Sequence, residues 1–393
     1  MTFASDFITL LYLLDRLLRL AALWHFFRRP APSPPAAWPS ISLIQPITMG
    51  AANLENNLRA RFAQVYAGDV QHLLVCDAGD THSQAICQRA MMAYPSVKAK
   101  IVIAFTTQEA GAIASKIEKL NTGIHAATGE IYCFVDDDIE LLAATLSRLI
   151  CYLQQPKIGA VFGLPCAASW TTPWSSLMTL FVNSNALPTY VPLTYLSDPV
   201  AITGHLFALR ALDLQRVGSW AGMEQRIDDD SHLGRQLIAA NLRLVQTPVI
   251  YRVHNEFATW SAYAAQIKRW FIFPRQTIMP YLSPRQQLLS SLLSIGVILP
   301  VLALLLMLFA PSWSMLRNLF VVSLCFWGDL ALISRFYLHE NIPRPAWLLT
   351  LITLFVAPLQ MVWALLFAAP VIRWRGQTLH IARGGTFRRV QPR

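Results

Sequence analysis

Between residues 41 and 154, short apolar runs alternate with amphipathic stretches. Runs 41–47, 70–76, 99–105 and 131–135 are too short for buried helices and rich in Ile, Val and Leu, so they predict strands. The stretches 53–66, 81–94, 112–127 and 140–154 have helical periodicity. This alternation calls for an α/β fold with a mostly parallel sheet covered on both faces. Past residue 154 the pattern loosens. Segments 159–163 and 201–209 read as strands, and 170–187 as an aromatic helix beside a membrane.

Longer apolar runs occupy both ends. Runs 288–309, 319–337 and 347–369 each approach the ~20 residues that a helix needs to cross a bilayer. Asp329 lies inside the second, where a charge is costly, so it is expected to face helices or water. Run 7–27 is also apolar but contains Asp15, Arg16 and Arg19. It is either a span whose Asp15 and Arg19 pair at helical spacing or an amphipathic helix in the interface, and the span is preferred. No small-residue cleavage site follows it, so a retained anchor is expected. Arg28-Arg29 puts the next segment on the cytoplasmic side. Five prolines between residues 30 and 39 make a stiff linker.

Composition agrees with a membrane protein. Hydrophobic residues make up 54% and charged residues 14%, against roughly 25% charged in soluble domains. The net charge is +10, and six arginines without an acid crowd residues 373–393. Beside apolar runs, such a tail suggests an anionic membrane surface, and no nucleic-acid partner is expected. Three full spans after a cytoplasmic domain would carry this tail outside, against the positive-inside rule, so one run is open to a re-entrant or interfacial reading. The six cysteines form no Cys-x-x-Cys pair and read as reduced core residues.

The candidate chemistry sits where the alternation places sheet edges. Strand 131–135 runs straight into Asp136-Asp137-Asp138. Alone, three aspartates read more readily as a capped turn, but their mutual repulsion suits a divalent cation with oxygen ligands. Strand 70–76 ends in Asp77-Ala78-Gly79-Asp80, whose acids suit a base or ribose but equally make a turn. Lys116 and Lys119 open a helix and, alone, read as a solvated face. A second triplet, Asp228-Asp229-Asp230, precedes a helix. Capping explains one acid, not three. Two triplets about ninety residues apart suggest a divided task, one holding a metal and one supplying a base. Gln266-Ile267-Lys268-Arg269-Trp270 closes a segment just before the apolar runs, and alone reads as a membrane anchor.

In this order the motifs resemble the processive-type and lipid-acceptor members of glycosyltransferase family 2. Ser115 to Asn121, Ile158 to Pro165, Ile202-Thr203-Gly204-His205, Trp374-Arg375-Gly376 and Arg383 to Thr386 look like ceramide glucosyltransferase, family 21. The resemblance runs over nearly the whole chain and includes hopanoid-linked bacterial relatives. It implies an α/β, GT-A type cytoplasmic domain (a Rossmann-like mixed sheet) with an N-terminal membrane anchor and C-terminal transmembrane helices. The implied layout is an anchor (1–29), linker (30–40), GT-A domain (41–256), interfacial helices (257–285), about three spans (286–370) and a basic tail (371–393), and a bacterial inner membrane is the expected location. The implied activity is inverting transfer of glucose, or a similar hexose, from a UDP-sugar to a membrane lipid hydroxyl. Ceramide is the first expected acceptor, with a hopanoid or glycerolipid as alternative. A processive polysaccharide synthase would need more spans, and a non-enzymatic lipid-binding scaffold would leave the carboxylates apart.

Residue by residue, the resemblance makes Asp77 the nucleotide contact, with Asp80 and Lys116 as further donor contacts. Asp136 and Asp138 match the Asp-x-Asp that holds Mg2+ or Mn2+ and the sugar nucleotide. Ceramide enzymes carry a shorter Asp-Ser-Gly form there, so at this point the chain looks more like the general family. Asp230 matches the general base. Asp229 stands beside it where the family often has Glu. Gln266, Arg269 and Trp270 match the motif near the acceptor and diphosphate.

Overall fold

The structure is a computed structural model. It describes residues 2–105, 116–220, 223, 226–374 and 377–390. In chain order the elements are α1 (Thr2–Arg28), β1 (Ile41–Pro46), α2 (Leu54–Phe62), β2 (Val70–Asp77), α3 (Thr81–Ala93), β3 (Ala99–Ala104), α4 (Lys116–His125), β4 (Ile131–Val135), β5 (Ile139–Leu141), α5 (Thr145–Leu153), β6 (Ile158–Ala167) and α6 (Pro173–Leu196). They continue with β7 (Leu206–Arg210), α7 (Ala211–Arg216), α8 (Asp229–Ala239), β8 (Arg243–Val253), α9 (Trp260–Thr277), α10 (Pro284–Phe309), α11 (Trp313–Ile333), α12 (Thr350–Leu366), β9 (Val371–Trp374), β10 (Gln377–Ile381) and β11 (Phe387–Arg389). Contacts divide the chain into two compact units. One is Pro30–Leu164 with Asp198–Asn255. The other is Met1–Arg29, Pro165–Ser197 and Glu256–Arg393.

The first unit is built on an eight-stranded sheet in the order β3-β2-β1-β4-β7-β6-β8-β5. β1 pairs in parallel with both β2 and β4, and β2 with β3. β7 runs antiparallel to β4 and β6, so the sheet is mixed. Every residue of β1 and β4 is buried, which explains why β4 reads as an unbroken apolar run and β1 as a largely apolar one. Helices cover both faces. Phe134, Phe207 and Trp220 anchor one core. Leu43, Cys133, Leu149 and Tyr251 belong to the other. Strand order reverses at β1, between β2 and β4, and such a switch point opens a crevice at the carboxyl ends of the strands.

Two predicted boundaries move. The predicted helix 140–154 begins only at Thr145, because 139–141 forms β5 against β8. Ile139 and Leu141 are buried while Glu140 points outward to Arg252 and His254, a period of two. The predicted strand 201–209 begins only at Leu206, leaving 201–205 as an irregular approach to the sheet edge. Residues 112–115 of the third predicted helix lie outside the described residues.

The second unit packs α1 against α6, α10 and α11. Its first helix is inside out. On α1, Phe7, Leu10, Leu14, Leu17 and Leu18 are exposed, while Thr9, Tyr12, Arg16 and Arg19 are buried. An apolar outer face around a polar interior suits lipid rather than water. The acid within run 7–27 is answered internally. Arg19 donates to Asp15 at 2.8 Å and to the Pro188 carbonyl at 2.6 Å, and Arg16 pairs with Asp15 at 2.7 Å and lies 3.9 Å from Asp329. The three C-terminal apolar helices run over Pro284–Phe309, Trp313–Leu338 and Arg344–Leu366, each long and apolar enough to cross a membrane. The basic tail forms a small antiparallel sheet of β9, β10 and β11. Arg375, Gly376 and Arg393 lie outside the described residues.

Removing Asp15 leaves two buried arginines short of a partner. Asp15→Leu is expected to cost about 3–5 kcal/mol, read as a lower melting temperature of the detergent-solubilised protein. Asp6→Ala breaks an exposed pair with Arg317 and is expected to cost under about 1 kcal/mol. Equal melting temperatures for the two variants would refute the internal pairing of α1.

Candidate active site

The acidic residues gather at the carboxyl ends of β2 and β4, beside the start of α8. β4 delivers Asp136, and its N–H donates to the His205 carbonyl at 3.0 Å. α4 delivers Lys116, whose ammonium lies 2.9 Å from Asp136 Oδ1 and 3.5 Å from Asp229 Oδ2. One lysine therefore joins the two triplets. Burial alone would lower its pKa, but Asp136 and Asp229 outweigh burial and raise it.

Each triplet divides its labour. Asp137 is held by the Thr48 N–H, and its carbonyl accepts from Asn57 Nδ2 at 2.9 Å. The Asp138 carbonyl accepts the His254 N–H at 2.9 Å. Asp138 Oδ1 is buried and has no hydrogen-bond partner among the described residues. Burial, then Asp136 and Asp137, push the Asp138 carboxyl up to about 8. In the second triplet Asp228 is a structural anion between Arg226 and Arg235. Asp229 faces Lys116. Asp230 accepts the Ser231 N–H at 2.6 Å and lies against Gly204, where an added Cβ would stand 2.6 Å from its Oδ2. Burial first, and then Asp229, raise the Asp230 carboxyl to about 7.

Asp77 and Asp80 separate. Asp77 ends β2 and pairs with Lys119 at 2.5 Å. Asp80 caps α3 by accepting the Ser83 N–H at 3.0 Å, and is buried. Gln266, Arg269 and Trp270 belong to the other unit, on α9. Trp270 stacks on Phe181 of α6 with ring centroids 6.4 Å apart.

Sequence reasoning missed two buried cations. Lys119 is fully buried, donating to the Ile47 carbonyl as well as to Asp77. Arg61 is also fully buried and holds the carbonyls of Asp136 and Ile139 and the side chain of Gln45. The signal was present in α2, where Leu54, Asn57, Leu58, Arg61 and Phe62 share one buried helical face. Polar residues on an apolar stripe need partners inside.

Among the described residues no group of three or more His, Cys, Asp or Glu side chains is arranged to hold a metal ion. The donor set at Asp136 and Asp138 still fits a hard divalent cation. It offers carboxylate oxygens, one of them buried without a donor, in a place where their negative charge is costly.

A mixed sheet with acidic strand ends at the switch point is the arrangement of GT-A glycosyltransferases. The mannosyltransferase PcManGT from Pyrobaculum calidifontis, solved in complex with GDP-Man and Mn2+, shares the fold. It is 19% identical, aligns over 93% of this chain and 99% of its own, and gives a TM-score of 0.52. GalNAc-T7 with UDP, GalNAc and Mn2+ aligns over 63% of this chain and 53% of its own at 11% identity, with a TM-score of 0.45, too low to carry the fold. The family model for Glycosyl transferase family 21 matches residues 4–387, and the chain belongs to that family. It is a glycosyltransferase.

The buried Lys119–Asp77 pair gives a direct test of the site's frame. Lys119→Met strands a buried carboxylate and is expected to cost about 3–5 kcal/mol of stability. The double variant Lys119→Met/Asp77→Leu is expected to recover part of that loss in a thermal-melt cycle. Strict additivity of the two single changes would show that the pair carries no coupling.

Proposed function

We propose that this glycosyltransferase is inverting and moves glucose, or a similar hexose, from a UDP-sugar to the hydroxyl of a membrane lipid, ceramide first among acceptors. One observation carries the reading: the Lys116 ammonium bridges Asp136 and Asp229, which joins an acidic strand end to the neighbour of a candidate base. In this reading Asp77 contacts the nucleotide, with Asp80 behind it as the cap that fixes the turn. Asp136 and Asp138 hold a divalent cation, Mg2+ or Mn2+, which when bound offsets the charge of the leaving diphosphate. Lys116 supplies a second positive charge to the same diphosphate. Gln266, Arg269 and Trp270 serve the acceptor and diphosphate from α9.

Asp230 takes the proton of the attacking lipid hydroxyl. A carboxylate with an ordinary pKa is a weak base at neutral pH, whereas one raised to about 7 is matched to the task. Asp229 sets this value in part and keeps Lys116 close. A single displacement with Asp230 as base inverts the anomeric centre, so an α-linked donor gives a β-glycosyl lipid. The inside-out α1 and the three apolar helices support a lipid acceptor drawn from the bilayer, with the α/β domain on the cytoplasmic side.

The reading is tested by incubating the purified full-length protein with a panel of UDP-sugars and a membrane lipid extract, then identifying the product by mass spectrometry. A β-hexosyl ceramide supports the full reading. A hexosylated hopanoid or glycerolipid corrects the acceptor, and no glycolipid from any donor sinks it.

Two further outcomes are expected. Asp230→Asn lowers transfer by about a thousandfold or more, while UDP-sugar binding stays within a few-fold. In the wild type, Asp230 must be ionised to act, so the rate falls as pH drops through about 7, roughly tenfold per unit below it. A rate that is flat from pH 8 to pH 5 would remove Asp230 from the role of base. Separately, a chelator is expected to abolish transfer and added Mg2+ or Mn2+ to restore it. Full turnover in chelator would take the metal away from Asp136 and Asp138.

A further inference from the structure

The fold of the basic tail sorts its residues by face. In the sheet of β9, β10 and β11, Ile372, Leu379 and Ile381 are buried. Arg373 pairs with Thr378, and Arg388 with His380, so Arg373, His380 and Arg388 share the opposite face. Arg373 and Arg388 are exposed, as is Arg383 in the turn between β10 and β11. None of these three arginines meets an acid among the described residues, and no Asp or Glu follows Glu340 in the chain. Arg373 and Arg388 stand on the two strands that flank β10, roughly 10 Å apart across the sheet.

Hydrogen bonds fix where the sheet sits in the helical unit. The Gly384 N–H donates to the Gln276 carbonyl of α9 at 2.8 Å, and Tyr281 Oη donates to the Gly384 carbonyl at 3.3 Å. Gly384 has φ +101°, and a Cβ there would stand 3.1 Å from the Tyr281 hydroxyl, so the Arg-Gly-Gly-Thr turn needs glycine at this position. Arg275 of α9 donates to the carbonyls of Ala364, Leu365 and Ala368, where α12 ends. α10 begins shortly after α9, and its Gln286 donates to Ser197 at the end of α6. Tyr195, also at that end, meets His25 and lies under Arg29. The basic end of α1, the start of α10 and the basic sheet are thus gathered at one end of the bundle.

We propose that the β9–β11 sheet is a docking surface for anionic phospholipid head groups. Charge alone points to an anionic surface, and the fold assigns it a face and residues. Trp363, Leu366 and Phe367, at the end of α12, are exposed apolar side chains suited to lipid, so the basic face begins where the apolar region stops. A phosphatidylcholine phosphate is already balanced by its own choline, whereas a head of net negative charge is left for the arginines. The arrangement also removes a conflict. α10 leaves from the end of the bundle to which the chain returns at β9, so α10, α11 and α12 cross a bilayer an even number of times. The tail then stays on the side of Arg28 and Arg29, as the positive-inside rule asks. The proposal is independent of the sugar, the acceptor and the catalytic residues.

The test is native mass spectrometry of the full-length protein in detergent, with dioleoyl phosphatidylglycerol and dioleoyl phosphatidylcholine as competing probes. Wild type is expected to retain phosphatidylglycerol in preference. One arginine near a bilayer surface is expected to add about fivefold, so Arg373→Gln/Arg388→Gln lowers the preference by at least that much. Arg373→Lys/Arg388→Lys keeps the charge and the preference. Arg59→Gln, an exposed change in α2 of the other unit, leaves it unchanged. Equal retention of the two lipids by wild type overturns the proposal, and that comparison holds even if the Gln variant does not fold. An unchanged preference in the Gln variant, or an equal loss in Arg59→Gln, also overturns it. Displacement of the lipid by inorganic phosphate would show a general anion site instead of a lipid surface.

Discussion

The α/β unit depends on one ammonium group. Asp136 ends a central strand and Asp229 begins a helix far away in sequence, and both carry negative charge into a partly buried place. Two carboxylates close enough to share one ammonium repel each other, the more so away from bulk water. Lys116 Nζ lies 2.9 Å from one and 3.5 Å from the other, which turns the repulsion into attraction. A diphosphate arriving between these elements would meet a cation already in place. If Asp136 serves a divalent cation as proposed, the same lysine competes with that cation for it.

Two more buried cations keep the carboxylates where Lys116 can reach them. Arg61 acts on the backbone of the first triplet, not on its side chains. By holding the carbonyls of Asp136 and Ile139, it fixes the turn through which the chain leaves β4 and enters β5. Lys119, one helical turn from Lys116, ties Asp77 to the same helix. α4 thus reaches the ends of β2 and β4 with two lysines, so a shift of that helix would disturb Asp77 and Asp136 together.

The chain's periodicity made the sheet legible. Largely apolar runs of five to seven residues become strands, fully buried at β1 and β4, and their boundaries fall close to the expected ones at β1 through β4. The errors came where short-range pattern and chemistry compete. Segment 139–141 looked helical because Leu141 and Leu142 continue an apolar helical stripe, yet pairing with β8 captures it as a strand. Lys119 looked solvated because charge is normally outside, and only the fold reveals the carboxylate waiting for it. The closeness of Asp230 to Gly204 was hidden for a different reason. It depends on an irregular approach at 201–205 that no periodicity encodes.

The helical unit obeys a different rule, and its prolines and charges make sense only together. In water, Pro188, Pro192, Pro300 and Pro358 would each cost a helix about 3 kcal/mol, and the freed carbonyls would turn to solvent. In an apolar surround that escape is closed, and each freed carbonyl needs a donor from the protein or a ligand. Arg19 supplies one such donor to Pro188, while its own charge is met by Asp15. Asp15 in turn lies against Gly296, where a side chain would displace it. A charged residue in α1, a proline in α6 and a glycine in α10 are therefore one arrangement. Replacing any of them in isolation leaves an unmet group within the bundle. That coupling explains why a helix with two arginines and an aspartate in its middle belongs among apolar neighbours.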